Sequence, residues 1–259
     1  MLPKTSHQEL IVDQFSKQAI PFSTAKTIAD EKALQLLLDI TNAGPDDMVL
    51  DVACGGGNVV CAFARVVRHA TGIDMTPAML ERAARAAAEK QLSNVTWDRG
   101  DVSSLPYPDG AFDLVVTRFS FHHFPDPLAV LKEMKRVCAP GGRILVVDMH
   151  TSVIQSQADE FNRMELLRDP SHVRALHLDE LKSLFPATGL PDAAEAHYEL
   201  RDELENLLGR SFPNPGDDEK IREIFRASGR DNRLGIPIRQ EGSKIYYAYP
   251  VAVLAANRP

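Results

Sequence analysis

The chain has 259 residues, of which 44% are hydrophobic and 25% are charged, and its formal net charge is −7 at pH 7. These proportions are those of an ordinary globular chain, so a disordered chain, a coiled coil and a collagen-like fibre are excluded. An acidic chain has no broad electrostatic attraction for phosphate backbones or anionic membranes. Composition therefore disfavours nucleic acid as a substrate or partner.

The cysteines and the amino-terminal residues indicate the compartment. Cys54, Cys61 and Cys138 are too few and too scattered for a disulfide framework or a zinc site, so we expect free thiols in a reducing environment. Residues 1–15 lack the apolar run of a signal peptide, and the longest apolar stretches have only strand length. We therefore expect no leader, no membrane span and a cytoplasmic protein.

Helical and strand patterns alternate between residues 24 and 149. An amphipathic helix is predicted over residues 24–43, where Gly44-Pro45 ends it. Further helices are predicted over 59–67, from Thr76-Pro77 onward, and from Asp126-Pro127 to about 138, with Thr76 and Asp126 as N-caps. Short apolar runs predict strands at 48–53, 70–74, 94–98, 112–117 and 143–149, the last after a turn at Pro140-Gly141-Gly142.

This alternation predicts right-handed βαβ crossovers and a mostly parallel α/β sheet. The strands are almost continuously apolar, which indicates that helices cover both faces of the sheet. Ligands of such sheets bind in the crevice at the carboxyl ends of the strands. The candidate site residues are therefore those that directly follow the predicted strands.

The rest of the chain is less regular. Helical cap segments are predicted in residues 150–190, a strand over 195–200, and a helix–loop–helix insert over 201–235. The final run KIYYAYPVAVLAA predicts a strand that completes the sheet, and Pro250 within it indicates an edge position or a bulge. We thus divide the chain into an N-terminal helical lid (1–44), a core (45–150), cap and substrate-binding inserts with the sixth strand (151–240), and a C-terminal strand (241–259).

The turn after the first strand is rich in glycine. Three consecutive glycines, Gly55 to Gly57, follow Asp51-Val52-Ala53-Cys54 and would let backbone amides approach a ligand closely. A plain strand-to-helix turn is the alternative, but one glycine would serve that purpose. The dinucleotide fingerprint requires a third glycine where Val60 stands, so an NAD(P)-dependent oxidoreductase is the weaker alternative.

Three carboxylates lie at the ends of successive strands, at the predicted crevice. These residues are Asp51, Asp74 and Asp101. A carboxylate such as Asp74 can accept two hydrogen bonds from a ribose diol, and Asp101 could accept from an exocyclic amine. Together the three create a negative crevice, which repels a pyrophosphate and favours a cationic ligand with a ribose and an amino group.

Four segments in this order and spacing resemble the class I S-adenosylmethionine (SAM)-dependent methyltransferases: VLDVACGGG, TGIDMTPAMLERA, GDVSSLPYPDGAFDLVVTRFSFHHFPDP and LKEMKRVCAPGGRILVVD. The resemblance covers about residues 45–150 and is greatest to the group of ubiquinone/menaquinone-biosynthesis methyltransferases, which carry the type 11 methyltransferase domain. It implies a Rossmann-like, seven-stranded, mostly parallel sheet with an antiparallel last strand and helical cap inserts.

The same resemblance implies the activity. SAM would donate a methyl group to O, N or C of a small organic molecule, quinone-like or a secondary metabolite, and leave as S-adenosylhomocysteine. A non-catalytic SAM-binding protein remains an alternative, and so does a homodimeric state. Nucleic-acid amino methyltransferases usually carry Asn/Asp-Pro-Pro-aromatic after the fourth strand, whereas this chain has RFSFHHFPDP.

For the methionine end of SAM, the resemblance implies that Asp51 and the glycine loop, including Ala53, Gly55 and Gly57, hold the ligand. The backbone at Arg118, after the fourth strand, would meet the amino-acid portion. The family usually has glycine where this chain has Ala53, so the methyl group there could shift the loop.

For the adenosine end, the resemblance implies that Asp74 binds the ribose hydroxyls and that Met75 packs against the adenine. Asp101 would accept a hydrogen bond from the adenine amine, with Val102 alongside. These four residues follow the second and third predicted strands.

The acceptor side offers fewer signals. His122 and His123, after the fourth strand, are candidates for a general base, although local packing at a helix start is the alternative. As neighbours in sequence they are expected to point apart, so a metal site is not predicted. Ahead of the first predicted helix, Phe15, Gln18 and Phe22 could form a lid, and Phe22 is our candidate for aromatic contact with the sulfonium.

Overall fold

One eight-stranded sheet runs through the computed structural model, which describes residues 6–259. The expectation about a leader therefore lies in part outside the described residues. The sheet order is β3-β2-β1-β4-β5-β8-β6, and β7 pairs with β8. The strands are β1 Met48–Val52, β2 His69–Asp74, β3 Val95–Arg99, β4 Phe112–Arg118, β5 Cys138–Met149, β6 Ala194–Glu203, β7 Ile238–Glu241 and β8 Lys244–Asn257.

The strand directions confirm the predicted fold. Strands β1 to β5 pair in parallel, and β8 is antiparallel to β5, β6 and β7. Four of the five core strands lie within about two residues of their predicted positions. β5 begins five residues earlier than predicted, at Cys138, and contains the residues predicted as a turn; after a register shift it pairs with β4 from Arg143 onward. The sheet has one strand more than expected, because β7 forms a short hairpin with the start of β8.

Helices cover both faces of the sheet, as the apolar strands predicted. Leu37, Phe63 and Phe161 pack on one face, while Leu131 and Phe185 pack on the other. Within the described residues, none of the helices combines the length and apolar character needed to cross a bilayer. The helices are α1 His7–Ser23, α2 Glu31–Thr41, α3 Asn58–Phe63, α4 Pro77–Glu89, α5 Pro127–Val137, α6 Gln155–Arg168, α7 Leu178–Ala187, α8 Leu204–Gly209 and α9 Asp217–Asp231.

The single helix predicted over residues 24–43 is wrong at its start. The chain turns through residues 24–30, and α2 begins only after Asp30, whose Oδ1 accepts hydrogen bonds from the amides of Lys32 and Ala33. Apolar residues such as Ile28 continue the helical spacing backwards, but Ile28 packs as part of the turn. The N-cap at Asp30 therefore determines the boundary, and the periodicity does not.

Helix α1 precedes that turn and contains the predicted lid residues Phe15, Gln18 and Phe22. A capping box starts it: the Ser6 hydroxyl accepts from the Glu9 amide, and the Glu9 carboxylate accepts from the Ser6 amide. This Ser-x-x-Glu pattern is visible in the sequence. The predicted lid residues thus lie on a helix of 17 residues.

Pro250 lies in an interior strand, which corrects the prediction of an edge strand or a bulge. It pairs in regular register with Glu199 of β6. Its carbonyl accepts from the His150 amide, just beyond the end of β5 at Met149. Because the nitrogen and carbonyl of one strand residue point to the same side, the missing N–H faces the position where β5 has already ended.

Candidate active site

A cavity of about 380 Å³ opens at the carboxyl ends of β1, β2 and β4. It lies where the parallel sheet predicted a ligand crevice. The predicted site residues that line it are Phe22, Asp51, Ala53, Gly55, Asp74, Met75, Asp101, Val102, Arg118 and His123. Gly57 and His122 do not line this cavity.

Asp51 carries a buried carboxylate in the wall of the cavity. Its side chain is 1% exposed, and neither oxygen makes a hydrogen bond to any described residue. Burial raises its pKa well above the ordinary value, the nearby Asp74 raises it further, and the positive charge of Arg118 acts in the opposite direction. An unpaired buried carboxylate is costly in a folded chain, so a cationic or hydrogen-bonding ligand would relieve it.

Arg118 reaches the cavity with its side chain, whereas the sequence had pointed only to its backbone. Its Nη1 donates to the Ile28 carbonyl at 2.7 Å, and its Nε and Nη2 approach the Tyr198 hydroxyl at 3.3 and 3.2 Å. The guanidinium also lies 4.5 Å from the centre of the Phe119 ring. These contacts hold a positive charge at the same cavity as the Asp51 carboxylate.

Asp74 organises two loops at once. Its Oδ2 accepts from the Gly55 amide at 2.9 Å, and its Oδ1 accepts from the Thr76 amide at 2.8 Å. Thr76 is the N-cap of α4, as predicted, but its hydroxyl caps no amide and has no partner within residues 6–259. Burial raises the pKa of Asp74, while the two amide hydrogen bonds act against that shift.

Asp101 already has a partner from the lid. Its Oδ2 accepts from Gln8 Nε2 at 2.7 Å, and its Oδ1 accepts from the Ser103 amide at 2.9 Å. Gln8 belongs to α1, so this helix supplies a hydrogen-bond partner for the Asp101 carboxylate. Helix α1 therefore forms one wall of the cavity.

Close packing explains two of the three glycines in the loop, and one edge of the loop faces the cavity. A side chain at Gly56 would collide with Ser23 of α1, and one at Gly57 would lie 2.7 Å from the Trp97 ring and 2.8 Å from the Ala83 methyl group. Of the three glycines, Gly55 alone has free space at its Cβ position, and it lines the cavity together with Gly56. Three glycines in a row thus reflect close packing more than ligand contact.

Ala53 has a left-handed backbone with φ of +58°. This conformation costs an alanine about 1–2 kcal/mol, and glycine adopts it without that cost. The turn therefore has a backbone conformation that favours glycine, and alanine at this position is strained.

His122 and His123 lie in a 3-10 turn at Phe121–His123, and their rings are 4.3 Å apart. The expectation that the two would point apart is therefore wrong. His122 Nδ1 donates to Asp148 Oδ1 at 2.7 Å, and the backbone amide of His122 donates to the other oxygen at 3.2 Å. Asp148, near the end of β5, was missed by the sequence analysis, although the acidic end of LVVD was a visible signal.

His123 has a different environment. Its Nδ1 donates to the Ser171 carbonyl at 3.0 Å, and its ring packs edge-on against Phe15 at 5.0 Å. Burial and the neighbouring His122 lower its pKa to about 4, so the imidazole is neutral near pH 7. His7 of the lid donates from Nε2 to the His123 carbonyl at 2.8 Å.

A second, smaller chamber of about 60 Å³ adjoins the first. Both are lined by Phe15, Phe22, Ile28, Phe119 and His123, whereas His122 lines only the smaller one. The far side of the chamber comes from the predicted substrate-binding inserts (151–240) and from the C-terminal strand β8. The far residues are Arg168, Asp169, Leu200, Leu207, Arg210, Tyr247 and Tyr249.

Buried ion pairs surround this second chamber. Arg168 pairs with Glu165 at 2.7 Å, and Glu165 also accepts from the Tyr249 hydroxyl at 2.6 Å. Arg210 pairs with Asp202 at 2.6 Å. Helix α1 joins the network through Gln18, whose Nε2 donates to Asp169 at 3.2 Å. Lid and cap are thus connected by polar contacts that an isolated apolar lid would lack.

A Rossmann-like sheet with a glycine loop, and with carboxylates at the carboxyl ends of its strands, defines a class I methyltransferase. Residues 50–146 match the family described as methyltransferase domain. The chain is 35% identical over 238 residues to the uncharacterized methyltransferase YcgJ of Bacillus subtilis, an alignment that covers 90% of this chain and 93% of that protein. The chain therefore belongs to this family and is a SAM-dependent methyltransferase, as its motifs predicted.

Solved structures agree with that assignment. The crystal structure of YcgJ from Bacillus subtilis matches with a TM-score of 0.79 and 28% identity, covering 88% of this chain and 98% of the other. The BH2331 protein of Bacillus halodurans matches with a TM-score of 0.79 and 25% identity, covering 88% and 99%. The ubiquinone/menaquinone biosynthesis C-methyltransferase UbiE of Bdellovibrio bacteriovorus is 33% identical over 146 residues, which cover 54% of this chain and 62% of UbiE.

We expect Ala53→Gly to stabilise the protein. Relief of the left-handed backbone is worth about 1–2 kcal/mol, and the larger conformational entropy of the unfolded glycine variant offsets about 0.4–1 kcal/mol of this, so the net gain lies between about 0 and 1.6 kcal/mol. The control is Gly57→Ala, where the contacts with Trp97 and Ala83 predict a loss of more than about 2 kcal/mol. Urea unfolding measures both. A lower free energy of unfolding for Ala53→Gly would contradict the strain.

We expect the stability to fall in acid because of His123. Its folded pKa of about 4 lies below its ordinary value of 6.5, so the unfolded chain binds the proton first. The stabilisation is fully present above about pH 6.5 and is lost as the pH falls towards 4, by about 3 kcal/mol in all. Urea unfolding between about pH 7.5 and 4.5 should show a smaller pH dependence in His123→Asn. An identical pH dependence in both proteins would contradict this.

Proposed function

We propose that SAM binds in the larger cavity and that a small organic acceptor is methylated at the junction with the second chamber. The observation that carries the proposal is the Asp51 carboxylate, buried without a partner beside the Arg118 guanidinium. A zwitterionic amino acid presents both complementary charges. When bound, SAM supplies an activated methyl group on a sulfonium.

Asp51 and Arg118 fit the two charges of the methionine end. The carboxylate would accept from the α-ammonium group, and the ammonium would lower the pKa of Asp51 towards its ordinary value. The guanidinium would bind the α-carboxylate, with its orientation already fixed by Ile28 and Tyr198. The edge of the glycine loop at Gly55 would contact the ligand through its backbone.

Asp74 and Asp101 fit the adenosine end. Asp74 has one amide on each oxygen, which leaves further lone pairs for the ribose hydroxyls. The adenine amine would take the place of Gln8 on Asp101, so ligand binding would exchange one hydrogen bond for another. Met75 and Val102 line the cavity between the two carboxylates and would pack against the base.

Three phenylalanine rings lie at the junction between the larger cavity and the second chamber. Phe15, Phe22 and Phe119 line both spaces, and Phe15 and Phe22 pack edge to face with centroids 6.4 Å apart. Ring faces near a desolvated sulfonium contribute on the order of 1–2 kcal/mol. They would also exclude water, so that the chain contributes alignment and dehydration to the transfer.

His122 is the residue we propose as general base. Asp148 receives its Nδ1–H, which orients the ring, and its Nε2 makes no hydrogen bond within the described residues. The free nitrogen belongs to a side chain that lines the acceptor chamber. The neutral His123 would serve as a wall between the two spaces rather than as the proton acceptor.

The acceptor is proposed to be a small molecule of quinone-like or similar character. The support is the 33% identity to UbiE, named as a ubiquinone/menaquinone biosynthesis C-methyltransferase, together with the aromatic junction. The match covers only 62% of UbiE, so membership of the family does not assign the methyl acceptor of UbiE to this chain. The proposal leaves O, N and C as candidate methylated atoms.

We expect Asp74→Ala to weaken SAM binding by about 1–3 kcal/mol, through lost charge-assisted hydrogen bonds to the ribose. That loss corresponds to roughly a 5- to 150-fold rise in Kd. Isothermal calorimetry with SAM measures it, and the exposed Asp192→Ala on the cap serves as the control with unchanged affinity. If the parent, Asp74→Ala and Asp192→Ala bound SAM with equal affinity, SAM would not bind at Asp74.

We expect His122→Asn to reduce methyl transfer by about 10²–10⁴-fold while SAM still binds, since a general base contributes that much. Asp148→Asn should reduce the rate as well, because it no longer fixes the ring. The assay follows tritiated methyl from SAM into acceptors of a metabolite extract. If His122→Asn transferred methyl groups at the parent rate, the base would be misassigned.

A further inference from the structure

The far end of the second chamber holds a tyrosine hydroxyl with no partner. Tyr247 is 3% exposed, and its Oη makes no hydrogen bond in the part of the chain that the structure describes. The ring is held between Phe225, 5.5 Å away, and Tyr249, 4.6 Å away. A buried hydroxyl left unsatisfied costs about as much as a lost hydrogen bond, which suggests that a bound molecule supplies the partner.

Arg210 lines the same chamber with hydrogen-bond donors to spare. Its side chain is 8% exposed, and its Nη1 pairs with Asp202 at 2.6 Å. Neither Nε nor Nη2 donates a hydrogen bond elsewhere in residues 6–259, although a guanidinium carries five N–H donors. The neighbouring Arg168 differs, because its donors are taken up by Glu165 and Ser211.

The Tyr247 hydroxyl and the Arg210 guanidinium therefore have unused hydrogen-bond donors, and an oxygen atom of a ligand could accept from both. The formal charges around the chamber decide which oxygen. Asp169 lines the chamber, and the carboxylates of Asp148, Glu165 and Asp202 bond to residues that line it. Three guanidinium groups oppose these four charges: Arg168 and Arg210 line the chamber, and Arg118 packs on the lining ring of Phe119. The net formal charge is negative, so an added carboxylate would be repelled. A neutral carbonyl can accept from both donors without that repulsion.

The size of the chamber limits what enters it. About 60 Å³ is less than half of the roughly 150 Å³ cavity that holds a benzene molecule, so the chamber suits a substituent of a few atoms. The ring that bears the substituent would lie at the junction, among the side chains shared with the larger cavity. His122 lines the near part of the same chamber.

We propose that Arg210 and Tyr247 form a carbonyl-oxygen subsite, and that the methyl acceptor is a phenolic or enolisable compound conjugated to a carbonyl. This inference rests on the proposed function and names the acceptor class for it. His122 Nε2 takes the proton from the acceptor O–H or C–H, and the electron pair spreads through the conjugated system onto the carbonyl oxygen. Arg210 and Tyr247 stabilise that charge. The acceptor atom then bonds to the methyl carbon as the S–CH₃ bond breaks, and the proton stays on His122.

The test compares two probes of equal shape on the protein saturated with S-adenosylhomocysteine. One is 4′-hydroxyacetophenone, and the other is 4-isopropenylphenol, which replaces the carbonyl oxygen by a methylene group. We expect the parent protein to bind the carbonyl probe about tenfold more tightly, as measured by calorimetry. In Tyr247→Phe and in Arg210→Lys, which keeps a cation beside Asp202, the preference should fall below about twofold.

Tyr246→Phe provides the matched control, because it is the same substitution one residue along β8, outside the chamber lining. It should keep the preference. Tyr247→Phe should melt at or above the parent temperature, because it removes a hydroxyl that has no partner. A merely structural tyrosine would leave the probe preference unchanged, and that result would overturn the subsite.

Equal affinity of the parent for both probes, or no binding of either, would also overturn it. Binding of S-adenosylhomocysteine itself is measured first in the same titration. Its absence would refute the proposed function, whereas its presence without a carbonyl preference would refute the subsite alone.

Discussion

The carboxylate of Asp74 is the interaction on which the rest of the site depends. It receives the Gly55 amide from the turn after β1 and the Thr76 amide from the start of α4. Two loops of adjacent parallel strands thereby share one anion, which fixes the edge of the cavity. The turn that presents the Gly55 amide has left-handed backbone at both Gly55, with φ of +50°, and Ala53, with φ of +58°, a conformation that favours glycine. The same arrangement leaves the Asp51 carboxylate buried without a hydrogen-bond partner. This is energetically costly, and a cationic ligand would reduce the cost.

Helix α1 connects the larger cavity to the second chamber. It packs Ser23 against Gly56 at one end, bonds Asp101 through Gln8 at the other, and contributes Phe15 and Phe22 to the junction. Its inner face is polar where it meets the cap. Because residues of this one helix line both spaces, any shift of α1 would alter the walls of both.

The two adjacent histidines, His122 and His123, differ in their hydrogen-bond partners because their surroundings differ. His122 is oriented by a carboxylate and keeps one nitrogen free, whereas His123 donates to a carbonyl and stays neutral because burial lowers its pKa to about 4. The dipeptide gives no sign of this difference. The positions of Asp148 and Ser171, one on the last parallel strand and one on the cap, separate the two roles.

The sequence alone determined the parallel core, four of its five strands within about two residues, the carboxylates at its rim and the methyltransferase family, because strand periodicity, turn residues and motif spacing are local properties. It placed the start of α2 wrongly, since Ile28 continues a helical spacing that the Asp30 cap interrupts. Tertiary structure decided the rest. Arg210 and Tyr247 are far apart in the chain from His122, and only the pairing of β8 with β5 and β6 brings them to one chamber. A pattern within a short stretch of sequence cannot predict this proximity, because it depends on which strands pair in the sheet and on how helix α1 packs over them.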